Sequence, residues 1–207
     1  MKINKLIIIP IASILLFSCA KQEDITVSLV EEMKVRDLGE KYATELLRTL
    51  KQNLMKAMNN GGPYNAIEFC STKAQNLTKM VEEKIDHGIK LKRTSFKYRN
   101  PLNKPDKYEA EALKIFEKYY KEYGQLRPYY IQKVKEQDGK YYYRYYKPLV
   151  IKPLCLICHG EPEKMDRQLY AKIKEKYPED KAVGYKPGDF RGVVRVSIPV
   201  KLLDKLQ

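Results

Sequence analysis

Histidine is nearly missing from this chain of 207 residues, with only His87 and His159, and cysteine is scarce at four, Cys19, Cys70, Cys155 and Cys158. A structural zinc site takes about four protein ligands. Outside the segment Cys155 to His159 and the N-terminal stretch, only Cys70 and His87 remain to complete one. The lack of a second well-placed histidine also weakens a peroxidase, which needs an acid-base residue facing an open metal position; only His87 is available, and Asp86-His87-Gly88 reads as a helix C-terminal turn. No internal repeat or low-complexity tract is visible. The apolar stretch Leu6 to Phe17 is too short and wrongly flanked for a stable transmembrane helix. There is no block of like charge either: the net +14 is spread along the chain, as a solvated lysine-rich surface would have it. Only Val200 to Gln207 follow Pro199, so no kinase-like output domain is expected there.

What is present is one Cys-x-x-Cys-His, running Cys155-Leu156-Ile157-Cys158-His159. At this spacing two thiols close onto the two vinyl groups of one haem while the next histidine ligates its iron. Covalent haem c, one per chain, is the reading; zinc or a redox dithiol is the competitor. Cys70 is then left without a partner, an odd thiol to find in an exported chain. With His159 on one face of the iron, the other face has His87, Cys70, a methionine, a lysine, water or nothing.

Export is read from the first residues. Lys2 and Lys5 precede the apolar stretch, and Ser18-Cys19 ends it, so residues 1–18 form a signal peptide. Leu16-Phe17-Ser18-Cys19 is like the lipobox of bacterial lipoproteins, with Phe17 bulkier than usual, so Cys19 is the expected lipid attachment site. Residues 19–29 would be the tether and 30–207 the domain. The location is then the bacterial cell envelope, outside the cytoplasm, where haem c is attached. Without the signal the charge is +12, which suits an anionic lipid surface or an acidic redox or signalling protein, while export argues against nucleic acid.

Helical periodicity starts at Val30, with Leu38, Tyr42, Leu46, Leu50, Leu54 and Met58 at four-residue steps until Asn59-Asn60-Gly61-Gly62-Pro63. A second helix is predicted from Tyr64 to Lys84, its stripe of Ala66, Cys70, Ala74, Leu77 and Val81 pointing Cys70 inward. A short strand at Ile89 to Thr94 and a helix over Asp106 to Tyr123, capped by Asp106 and ended by Gly124, come next. Tyr129 to Glu136 and Tyr141 to Val150 flank Asp138-Gly139, a hairpin signal. Tyr141-Tyr142-Tyr143-Arg144-Tyr145-Tyr146 puts rings on both strand faces, to be covered by helices or by a porphyrin edge. The haem motif is expected in a loop, then a helix from Met165 to Lys176 and a last strand, Phe190 to Pro199. These elements make an α+β domain with a central antiparallel sheet.

Five segments in order carry a resemblance: Ala66-Ile67-Glu68-Phe69-Cys70, Arg93 to Pro101, Lys147-Pro148-Leu149, Cys155 to Gly160, and Gly184 to Gly192. The chain resembles the exported PAS-like c-type haem domains first known from a cyanobacterial photosystem-associated protein. The resemblance implies a PAS-like sheet flanked by helices, a long N-terminal helix, haem held through Cys155 and Cys158, His159 on one face of the iron and Cys70 opposite. It departs at Lys73, where relatives tend to have arginine, so no propionate role is carried over to that position. From its residues alone Cys70 also reads as a buried core cysteine. Arg93, Arg99 and Arg191 are candidates for the two haem carboxylates. Methionines 33, 55, 58, 80 and 165 sit mostly at core spacing. Electron transfer and redox or ligand sensing are the leading functions; a haem enzyme such as a peroxidase and a zinc-binding module are the alternatives.

Overall fold

The computed structural model describes residues 27–205; the signal peptide, Cys19 and most of the tether lie outside the described residues. The chain runs α1 (Leu29–Asn59), α2 (Gly62–Glu68), a π turn (Phe69–Lys73), α3 (Ala74–Ile85) and β1 (Lys90–Thr94). It goes on through α4 (Lys107–Tyr123), β2 (Tyr130–Lys135), β3 (Tyr141–Val150), α5 (Leu156–His159), α6 (Arg167–Lys176), β4 (Phe190–Pro199) and α7 (Val200–Asp204). Among these no helix is long and apolar enough to cross a membrane.

Local chemistry sets the boundaries. Ser28 and Glu31 form a capping box at the start of α1, and Asp106 and Glu109 form another at α4. Gly124 ends α4 in the left-handed conformation, as read from the sequence. Asp86, His87 and Gly88 all have positive φ, which reverses the chain into β1 and leaves His87 exposed.

The four strands are antiparallel in the order β1-β4-β3-β2. Helices cover both faces, which accounts for the tyrosine run. Tyr143 and Tyr145 pack with Val35, Ala43 and Leu46 of α1, while Tyr146 packs with Ala112, Leu113 and Phe116 of α4. A helix, not a porphyrin edge, therefore meets each of these rings. Beside Tyr146 the sheet turns polar: Arg195 and Lys92 converge on the fully buried Glu109, and Arg144 bridges Asp106 and Glu136. These pairs tie the α4 N-terminus to the sheet.

Two irregularities prepare the site. Pairing of β3 with β4 slips between Leu149 and Val150, where Gly192 and Phe190 are the partners and Arg191 is left over. Such a bulge re-aims the extra side chain. The second is the π turn, which interrupts the single helix expected over Tyr64 to Lys84. The amide of Ala74 donates to the carbonyl of Phe69, five residues back, and π turns of this kind occur often at functional sites.

Candidate functional site

The Cys-x-x-Cys-His segment is wound rather than looped. A 3-10 turn over Pro153–Cys155 leads into α5, closed by the amide of Gly160 donating to the carbonyl of Leu156 at 2.9 Å. Helical winding brings positions i, i+3 and i+4 to one side, and Cys155, Cys158 and His159 all line one cavity. Cys158 rests on Ile67, Leu169 and Ile173, so α2 and α6 hold it; Cys155 rests on Ile151, Ala182 and Tyr185.

His159 is held neutral, with one ring nitrogen tied to the backbone. Its Nδ1 lies 2.7 Å from the carbonyl oxygen of Ala182. A carbonyl only accepts, so the proton is on Nδ1 and Nε2 keeps its lone pair. Burial, then the charges of Arg99 and Arg191, holds its pKa well below the ordinary imidazole value. Tyr185 meets the ring edge-on at 6.4 Å.

Cys70 sits on the π turn and opens into the same cleft, lining both of its halves. Cys70 is exposed to the cleft it lines rather than packed in the core as its helical stripe suggests; protein around it still pushes the thiol pKa up, against the charges of Arg93 and Arg99. The turn is braced by Ser71 and Thr72, whose hydroxyls donate to the carbonyl of Glu68 at 3.1 and 2.7 Å. The hydroxyl of Tyr177 donates to the carbonyl of Cys70 itself.

The three arginines sort differently. Arg93 is packed in the cleft with an Nε that has no hydrogen-bond partner, and burial lowers its pKa. Arg191, re-aimed by the bulge, donates to the carbonyl of Lys97 at 3.0 Å, and burial lowers its pKa as well. Arg99 instead forms a fork with Asp180, at 3.1 and 3.0 Å. It is held as a structural ion pair, unlike the two others. Lys73 lines a separate groove between α1 and α3, away from the cleft.

The cleft is two adjoining cavities that share Cys70, Arg99, His159 and Tyr177. One half is apolar, with Leu54, Met58, Ala66, Ile67, Leu154 and Ile157 around the two motif thiols. The other carries Arg93 and Arg191 beside Gln75 and Asn103, and among the described residues no carboxylate lines either half. A flat apolar macrocycle with two reactive vinyl groups on one edge and two carboxylates on another matches this division of thiols and unpaired cations. Zinc does not: among the described residues no three histidine, cysteine or carboxylate side chains form a cluster able to hold a metal. His87 lines neither half.

A family model described as Tll0287-like matches residues 20–199. The chain belongs to the Tll0287-like family. The crystal structure of the cyanobacterial heme-protein Tll0287 is 24% identical, with a TM-score of 0.53, over 84% of this chain and 98% of that one. That likeness shows a shared fold, and the family membership bears out the resemblance carried by the five motifs. No curated protein matches.

Several residues of the Tll0287-like cleft escaped the sequence reading. Asp180 and Ala182 have no motif to mark them. Tyr177 falls just past the helix expected to end at Lys176, and Tyr185 lies unremarked inside the Gly184 to Gly192 segment. Met58 read as core, and it lines the apolar half of the cleft.

Proposed function

We propose that this chain binds one haem c covalently through Cys155 and Cys158, with His159 and Cys70 on opposite faces of the iron, and that it transfers electrons in the bacterial cell envelope. The observation that carries the reading is the convergence of three free thiols and a neutral imidazole on a cleft whose far half holds two carboxylate-free arginines. Haem would supply an iron that takes up and gives back one electron. Arg93 and Arg191 would pair its carboxylates. His159, held by the Ala182 carbonyl, would present Nε2, and the low-pH cost of protonating it is set by burial. As an anionic donor, Cys70 would stabilise the ferric state and lower the potential.

Two protein ligands favour a redox role over catalysis. No second histidine and no carboxylate lines the cleft among the described residues, so the peroxidase alternative lacks its distal acid-base group. The sensing alternative draws on the π turn that carries Cys70, since such turns are frequent at functional sites. An exposed apolar edge, Leu154 and Ile157, borders α1, whose outer side presents Arg48, Lys51 and Lys56. That edge suits an acidic redox partner.

The test is production with a c-type maturation system. Haem should survive denaturation and acid-acetone extraction, Cys155→Ala should weaken its retention, and ferric and ferrous spectra should both be six-coordinate and low-spin. Stoichiometric zinc without covalent haem would end the reading. Anchoring through Cys19 is a separate proposal. Intact mass should show cleavage before Cys19 with added acyl mass, and Cys19→Ser should release the protein from membranes; an unmodified soluble product would refute it.

A further inference from the structure

The carbonyl of Ala182 accepts two hydrogen bonds, and they come from chemically different donors. One is the Nδ1–H of His159 at 2.7 Å; the other is Nη2 of Arg99 at 3.2 Å. The same guanidinium also donates to the carbonyl of Cys158 at 2.5 Å and to both oxygens of Asp180. Asp180 closes the circuit, since its Oδ1 accepts from the amide of Ala182 at 2.8 Å. The pair is deep: the side chain of Arg99 is 11% exposed and that of Asp180 is 0%. The strap that carries Ala182 is pinned to the motif beyond it as well, with the amides of Gly184 and Tyr185 donating to the carbonyls of Gly160 and His159 at 2.8 and 3.1 Å.

We infer that Arg99 and Asp180 form a positioning pair that sets the electron-donating strength of His159, and through it the redox potential of the site. This rests on the haem reading above. A histidine ligand becomes a stronger base when its other ring nitrogen donates to a good acceptor. Arg99 competes for that acceptor. By drawing on the Ala182 oxygen and standing beside the ring, the guanidinium leaves Nε2 a weaker donor and disfavours the ferric state. Asp180 opposes this by neutralising most of the Arg99 charge. Removing either member therefore moves the potential, and the two removals move it in opposite directions. A pair that merely braced the Cys158 turn would do otherwise, because loosening the turn from either side loosens the same contacts.

Arg99→Gln and Asp180→Asn, each loaded with haem, should retain covalent haem, with the potential lower than wild type in the first and higher in the second. Arg99→Lys, which keeps the charge without the fork, should lie between Arg99→Gln and wild type. It also stands in if Arg99→Gln does not accumulate. Nitrogen-15 spectra of histidine-labelled protein give a readout independent of the potential: the His159 Nδ1 proton should move downfield in Arg99→Gln as the Ala182 carbonyl is freed. Shifts of the same sign in both charge variants, or none with haem retained and the proton resonance unmoved, would overturn the inference. Protein that never acquires covalent haem would instead refute the haem reading, and the proton resonance would still decide whether Arg99 competes for Ala182.

Discussion

The hydroxyl of Tyr177 donates to the backbone carbonyl of Cys70 at 3.3 Å, across 107 positions of sequence. It fastens the segment after α6 to the π turn that holds the third thiol of the cleft.

Tyr177→Phe deletes only that donor, and a hydrogen bond of this type contributes about 1 kcal/mol. Urea denaturation should show a loss of about that size. If Cys70 ligates iron, ferric protein should also bind imidazole more readily than wild type, because the turn that holds the sulfur is less restrained. Unchanged stability and unchanged imidazole affinity would mean that Ser71 and Thr72 suffice to hold the turn.

Cys70→Ala is the sharper substitution. It should leave haem attached through Cys155 and Cys158 while opening one axial position, so that the ferric spectrum moves towards high spin and carbon monoxide binds more readily. The potential should rise, since loss of an anionic donor favours Fe(II). Should spectrum, potential and ligand binding all match wild type, Cys70 is packing. Met58, on the apolar wall of the cleft, is then the residue to replace next.

Gly39 is a close approach of α1 to the sheet. A Cβ at this position would stand 2.1 Å from Cγ and 2.5 Å from Cβ of Tyr145. The ring is fully buried, stacked on Tyr129 at 5.8 Å and bonded to Glu40 at 2.6 Å, so it has little room to yield. Gly39→Ala should cost about 1–3 kcal/mol as an overpacked core does. Thermal denaturation would measure it, and a melting temperature equal to wild type would show that helix and sheet separate freely.

Acid should weaken the α1 contact through Glu31. The hydroxyl of Tyr143 and the amide of Ser28 both donate to this carboxylate, and they pull its pKa down to about 2. A carboxylate depressed in the folded state stabilises above its unfolded pKa, and that stability fades as pH falls through the folded value. The window is therefore from about pH 4.5 down to about pH 2. Because Glu31 is partly solvated, the contribution after screening is on the order of 1 kcal/mol. The wild-type advantage over Glu31→Gln in denaturant titrations should be full at pH 6 and gone near pH 2. An advantage that stayed constant across that range would assign the stabilisation to packing.

Local signals were legible because each depends on neighbours in sequence. Asp106 begins a helix, Asn60 to Pro63 and Gly124 end helices, and Asp138-Gly139 turns the hairpin, all through contacts a few residues long. The spacing of Cys155, Cys158 and His159 likewise places them together once the segment winds. Tertiary structure alone decided the rest. Phe69 to Lys73 carry no local mark of a π turn, since any helical run reads the same until the chain must fit an extra residue against its neighbours. Arg93, Arg99 and Arg191 are alike as letters. Arg99 differs because Asp180, 81 positions away, is folded against it, and Arg191 because a bulge in β4 turns it aside. Long-range pairing decides which buried cation is neutralised by a carboxylate and which is not, and no short window of sequence contains both partners.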